Sequence, residues 1–232
     1  MGKTRTNIWR LLVLLACIIV GLVIYNYPRS VLSPKELEKK AQSEQLIPEK
    51  ADEILPFLEE NHYSTDLAIL VDMSLSMHQK RMYIVNPQTK EILHSCLVAH
   101  GKGNQSSEDN VYFSNVPNSF CSSLGKYKIA ERYTGRYGDS YRLDGLDSTN
   151  SNARKRAIVF HYYEHQSPSE SLGPHYFSEG CPMLAEEDWR IVDEYIKGQN
   201  KSCILWIYVL KVPFSRYRYN HLKFASNHYR CI

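Results

Sequence analysis

Arg156 to Pro174 reads RAIVFHYYEHQSPSESLGP, and the fold turns on whether its H-x-x-E-H core, His161 to His165, lies on a helix or ends a strand. A zinc-binding H-x-x-E-H needs a helix, because only a 3.6-residue turn brings positions i and i+4 onto one face. Here the pentapeptide follows a β-branched and aromatic run and precedes QSPSESLGP, which cannot continue a helix. The stretch therefore reads as a core strand ending near His161. On a strand, His161 and His165 lie about 13 Å apart, too far to share an ion held at ~2.1 Å by each. A loop folding back, with His175 as third nitrogen, is the route left to a zinc peptidase.

Working outward, LAILVDMS, RMYIVNP and EILHSCLVAH are short, apolar and strand-like, and NPQTKE joins the last two as a hairpin turn. GKYKIAERY and SYRLDGL follow, then RKRAIVFHYY itself, and SCILWIYVLKV closes the series. Between the last two, LAEEDWRIVDEYIKG carries an apolar stripe of Leu184, Trp189, Ile191, Val192, Tyr195 and Ile196 ended by Gly198, which predicts one amphipathic helix. Upstream, Ser33 to Glu60 opens with Ser-Pro and a Glu three residues after the Ser, and predicts two short helices broken at Pro48. The first is polar and reads as a stalk or accessory hairpin; the second offers Ile54, Leu55 and Leu58 to a core. Many strands with a single late helix predict a mainly β, α+β domain: a mixed β-sandwich or partly closed barrel, not a doubly wound sheet.

The 232 residues, 43% of them hydrophobic, suffice for one core with a small helical appendage. Lys and Arg number 28 against 25 Asp and Glu, a balance that argues against nucleic acid as the partner. RYRYNHLKF near the end is read as aromatics packed under basic side chains.

Lys3, Arg5 and Arg10 precede LLVLLACIIVGLVIY, uncharged from Leu11 to Tyr25, before Pro28 and Arg29. Such a segment exports or anchors the chain, and no small-x-small cleavage site follows it, so a retained anchor is preferred to a cleaved signal or a lipidated Cys17. Its cationic flank stays in the cytoplasm and everything after Tyr27 is translocated. That puts Cys96, Cys121, Cys181, Cys203 and Cys231 outside the inner membrane, where one unpaired thiol in an odd set is a candidate reactive group. Cys96 and Cys203 lie in apolar runs and read as core.

Ser178-Glu179-Gly180-Cys181-Pro182 has the makings of a nucleophile turn. Gly180 permits a backbone geometry that lets amide hydrogens converge near Cys181, and the helix beginning near Ala185 offers its positive end to a thiolate. His161, at the end of a core strand, is the candidate base that activates the thiol. Ser178 either orients substrate or His161, or holds the turn through its own hydroxyl.

These residues resemble the murein L,D-transpeptidase catalytic domain family, whose signature is a His at a strand end, a later Gly, then Ser-x-Gly-Cys. Here those are His161, Gly173, Ser178, Gly180 and Cys181. LVAHGKG from Leu97 to Gly103, FSNVPNS, SSLGKY, YTGRYG, SYRLDGLD and NSNARKRAIVFH extend the resemblance across nearly everything from Leu67 to Tyr208. Pro182 agrees with the murein subgroup. Two positions depart from the wider pattern: Tyr162 stands where Gly usually follows the His, and Met183 where Arg follows the Cys.

The resemblance implies an exported cysteine acyltransferase on peptidoglycan stem peptides, cleaving after the third residue through a Cys181 thioester with His161 as base. Transfer to an amine gives a crosslink; transfer to water gives trimming alone. Gly180 and Ser178 would shape the oxyanion turn, and Tyr162, Gly173, His175 and Tyr176 would border the substrate cleft. No metal or other cofactor is required, and a carbapenem is the expected inhibitor. The domains implied are a signal-anchor over 1–28, a helical linker over 29–62, the transpeptidase-like domain over 63–212 and a basic aromatic tail over 213–232. The chain would sit in the bacterial envelope, anchored in the inner membrane with its catalytic domain in the periplasm. A trimming enzyme or a weakly catalytic wall-binding module is the alternative, and a zinc peptidase a more distant one.

Overall fold

A computed structural model describes residues 32–103, 105–170 and 175–210. The anchor expected over 1–28, the tail over 213–232 and Gly173 lie outside the described residues. No helix among the described residues is long and apolar enough to cross a membrane.

The chain runs α1 (Pro34–Gln45), α2 (Ile47–Glu60), β1 (Ala68–Asp72), β2 (Met82–Asn86), β3 (Glu91–Cys96), β4 (Gly125–Gly135), β5 (Gly138–Gly145), β6 (Val159–Tyr162), β7 (Met183–Leu184), α3 (Glu186–Lys197) and β8 (Ile204–Tyr208). All eight strands form one sheet in the order β3-β2-β1-β8-β4-β5-β6-β7. β1 and β8 pair in parallel, as do β6 and β7, and the other pairings are antiparallel. Just beyond β3, Ala99 bridges antiparallel to Met183 of β7. The two ends of the sheet thus meet, and the architecture is mostly β with a nearly closed, barrel-like sheet. Of the two forms the sequence left open, the partly closed barrel is the one observed.

The central strands are apolar on both faces because both are covered. Leu67, Ile69 and Val71 point into the barrel interior with Met82, Ile84, Leu205 and Ile207, while Ala68 and Leu70 face outward with Tyr83, Val85 and Ile204. Ile47, Ile54 and Leu58 of α2 cover that outer face, and Leu55 is only half-buried. Strands buried on two sides read as continuous apolar runs, as LAILV does. From α3, Trp189, Val192 and Ile196 enter the interior cluster, whereas Ile191 is exposed and Leu184 belongs to β7. Gly198 caps α3 as expected.

α1 corrects the expectation of a stalk. It starts on a capping box of Ser33 and Glu36, as its sequence predicts, and Pro48 occupies the first turn of α2. Its polar residues then dock it on the barrel. The Ser43 hydroxyl donates to Asp72 Oδ2 at 2.7 Å in a buried contact, Gln79 Nε2 donates to the Glu36 carbonyl at 2.8 Å, and Lys40 pairs with Glu170 at 2.7 Å. Lys39 Nζ donates to the Ser74 carbonyl. A helix held by hydrogen bonds leaves no apolar stripe, so periodicity alone does not reveal its docking.

Candidate active site

Three strands and one turn meet at the candidate site. β6 pairs in parallel with β7 through His161 opposite Met183. Two residues back from each, Val159 and Cys181 are opposed, and the Val159 amide donates to Cys181 Sγ at 3.4 Å. Val159 and His161 lie two apart on one strand and so point to the same face. The Val159 amide that holds the sulfur and the backbone of His161 are therefore about 7 Å apart along one strand. Among the described residues no hydrogen bond joins the sulfur to the imidazole: besides the Val159 amide, Sγ has there only the Ala157 carbonyl, at 4.0 Å.

The His161 ring is buried, and its Nδ1 lies 2.8 Å from the carbonyl oxygen of Tyr162. A carbonyl only accepts, so Nδ1 carries the proton and Nε2 is left with a free lone pair, the tautomer a general base requires. Tyr137, exposed at the tip of the β4–β5 hairpin, stacks on this ring with centroids 4.6 Å apart and planes at 24°. The adjacent Gly138 has φ +73°, and a β-carbon there would stand 2.5 Å from the Tyr162 hydroxyl. Tyr162 points away from His161, as alternation on a strand demands, and packs 6.2 Å from Trp189. Its hydroxyl lies beneath the hairpin that carries Tyr137.

The turn before Cys181 is built by Ser178. Its amide donates to the His100 carbonyl at 2.9 Å, its carbonyl accepts from the Lys102 amide at 2.8 Å, and Gly101 bridges to it. Its buried hydroxyl donates to the Cys181 carbonyl at 2.6 Å and accepts from the Gly180 amide at 3.1 Å. Of the two roles left open for Ser178, the bonds are those of the residue that holds the turn. The Gly180 amide is committed to this bond. The Cys181 amide donates to no group among the described residues and is the available donor for an oxyanion. Gly180 has φ +119°, and a β-carbon there would stand 2.7 Å from the Cys121 carbonyl oxygen.

Sequence reasoning missed Arg156. Its guanidinium donates to the Ser114 carbonyl and the Ser123 hydroxyl, at 2.8 and 2.6 Å, and to the Cys121 carbonyl. It is the cation nearest to Cys181 in effect, where Met183 stands in place of the wider family's Arg. The basic run ARKRA ahead of β6 was the available signal, although nothing local distinguishes Arg156 from Arg154, which pairs with Glu131 and Asp144 on the surface.

Burial pushes the Cys181 thiol up, opposed by the Val159 amide and the Arg156 charge and reinforced by Glu179. Burial also holds His161 below its ordinary range, against the pull of the Tyr162 carbonyl. Both shifts favour the neutral pair, so the expected resting thiolate is replaced by a thiol beside a neutral imidazole. The first turn of α3 carries Glu186, Glu187 and Asp188, charges that counter its positive end.

Two further expected cleft residues, His175 and Tyr176, have contacts of their own. His175 Nδ1 lies 3.2 Å from Gln166 Nε2, with its ring edge on His78 at 4.5 Å, and exposed Tyr176 packs on Tyr163 at 5.2 Å. Glu164 and His165 are exposed and face each other at 3.4 Å. With His161 on a strand, the helical geometry of a zinc-binding H-x-x-E-H is not formed. All four described cysteines, Cys96, Cys121, Cys181 and Cys203, are free thiols, and Cys96 and Cys203 are buried as their apolar settings predict.

A family model described as the L,D-transpeptidase catalytic domain matches residues 38–208. No curated protein matches the chain. Among solved structures, the helical cell shape determining protein Pgp2 of Campylobacter jejuni is similar at 12% identity with a TM-score of 0.40, over 63% of this chain and 48% of that one. A single-residue mutant of that protein gives 12% identity and a TM-score of 0.41, over 65% and 49%. The chain thus spans about half the length of the solved structures it matches.

Proposed function

The chain belongs to the L,D-transpeptidase catalytic domain family, and we propose that it is a cysteine acyltransferase on peptidoglycan stem peptides with Cys181 as nucleophile and His161 as base. The observation that supports this reading is the β6–β7 register, which brings the turn carrying the free Cys181 thiol alongside the strand that carries His161.

In the proposed sequence, Sγ attacks the carbonyl carbon joining the third stem residue to D-alanine as its proton passes to His161 Nε2. Because both groups rest neutral, proton transfer accompanies attack. The oxyanion forms against the Cys181 amide, a donor worth about 2.7–4 kcal/mol at comparable acyl-transfer sites. His161 then gives the proton to the departing D-alanine nitrogen, leaving a thioester. An amine of a second stem resolves the thioester to a crosslink, or water resolves it to a free carboxylate. The uncharged Leu11 to Tyr25 segment supports an inner-membrane anchor and a periplasmic domain.

The missing sulfur–imidazole hydrogen bond favours a second reading, a slow enzyme that chiefly binds the wall. One experiment separates them. Purified sacculi are incubated with the chain and with Cys181→Ala, and their muropeptides are analysed, alongside intact-mass measurement after exposure to a carbapenem. New crosslinked or trimmed muropeptides and an adduct on Cys181, both lost in Cys181→Ala, are the expected result. A folded, reduced protein that binds sacculi, alters no muropeptide and takes up no carbapenem sinks the acyltransferase reading.

A further inference from the structure

A second cluster of ionisable groups lies where β3 meets α3. His94 and Cys96 are two apart on β3 and point to one face of it. Asp188, in the first turn of α3, faces them. One ligand atom from each of the three lies within 4.8 Å of the others, and among the described residues no other grouping of His, Cys, Asp and Glu gathers in this way.

The cluster is largely buried and incompletely satisfied. Cys96 is fully buried, Asp188 is 8% exposed, and the second carboxylate oxygen, Asp188 Oδ2, is buried with no hydrogen-bond partner. Its other oxygen lies 2.9 Å from His94 Nε2. A sequestered carboxylate oxygen with nothing to bond is costly, and buried carboxylates of this kind are ordinarily paired or bound to metal. Imidazole, thiolate and carboxylate are the donors a zinc-type ion takes, in the three-ligand arrangement that leaves a fourth position to water.

We propose that His94, Cys96 and Asp188 form a site for a divalent transition-metal ion of the zinc type. Binding releases the Cys96 thiol proton and any proton shared between His94 and Asp188. The resulting thiolate and carboxylate balance the two charges of the ion, and His94 binds it neutral. Tetrahedral bonds of about 2.0–2.3 Å set donors roughly 3.3–3.6 Å apart, so His94 and Asp188 separate by only a few tenths of an ångström from their hydrogen-bonded distance. His94 keeps 21% of its side chain exposed, and the fourth ligand enters from that side as water. The site takes no part in the chemistry proposed for Cys181. It ties the helix that follows β7 to the strand that precedes Ala99, beside the Ala99–Met183 bridge that closes the sheet.

Cobalt(II) titration of the full chain tests the proposal. A near-ultraviolet sulfur-to-cobalt charge-transfer band with tetrahedral visible bands is expected, displaced by zinc. It should persist in Cys181→Ser, vanish in Cys96→Ser, and need more than tenfold higher cobalt in Asp188→Asn. Zinc should also raise the melting temperature of the wild-type chain and not that of Asp188→Asn, a readout that stands if Cys96→Ser does not fold. Absence of the band, a band that follows Cys181 instead of Cys96, or an equal zinc effect on the wild type and Asp188→Asn overturns it.

Discussion

Arg156 Nη2 donates to the carbonyl oxygen of Cys121, the same oxygen that stands 2.7 Å from where a β-carbon on Gly180 would lie. One guanidinium thereby fixes the strip of backbone against which the Cys181 turn is pressed. The same charge acts on the sulfur: it pulls the Cys181 thiol down while Glu179 pushes it up.

Arg156→Gln should therefore move the midpoint of Cys181 alkylation to higher pH, and Glu179→Gln should move it lower. Iodoacetamide labelling as a function of pH, followed by peptide mass spectrometry, reads both. Displacement of the two midpoints in one direction would show that neither charge reaches the sulfur.

Gly180→Ala forces a side chain into a left-handed backbone and against a carbonyl. A loss of about 1–3 kcal/mol of stability is expected from the strained φ alone. Carbapenem acylation should fall much further, because the Cys181 amide moves with the turn. Urea unfolding together with the acylation rate checks this, and an alanine variant as stable and reactive as the wild type would contradict the geometry.

Acid should destabilise the fold before its carboxylates titrate. His100 is held down to about 3 by burial and by Arg81, whose Nη2 lies 2.7 Å from its Nδ1, and His161 is depressed by burial. The unfolded chain binds protons to both below about pH 6.5 while the folded chain binds fewer, so unfolding takes up protons and stability falls as pH drops. His100 contributes a slope of up to ~1.4 kcal/mol per pH unit between pH 6.5 and 5, and His161 acts in the same direction. Chemical denaturation across that window should show the fall, and His100→Gln should flatten it.

Tyr137→Ala uncovers the face of His161. Since burial is what depresses that imidazole, its titration should return toward the ordinary histidine range, measurable by NMR. An unchanged titration would mean that the hairpin contributes nothing to the burial of His161.

Much of this was legible in the sequence, for reasons visible in single elements. QSPSESLGP forbade a helix after His161, and the strand end it implied is β6. Asn86 sits where a hairpin turn needs it, accepting from the Gln88 and Thr89 amides through its side chain. β7 was missed because two residues carry no period, and its pairing with Val159 to Tyr162 depends on a partner distant in sequence. The docking of α1 was missed because Ser43 and Asp72 bond across that same kind of distance. At the candidate site, residue types announced His161 and the Cys181 turn. The stacking of Tyr137 and the reach of Arg156 are properties of tertiary structure alone. The side of the strand that Tyr162 faces follows from register, which composition does not contain.

The bridge between Ala99 and Met183 joins the two edges of the sheet next to Cys181. Cys181 sits on the seam where the cylinder is stitched shut, two residues from the stitch itself. Any loosening that lets the edges part also moves the Cys181 turn away from the strand that carries His161, so under the proposed chemistry a partly undone molecule is disarmed at the moment it opens.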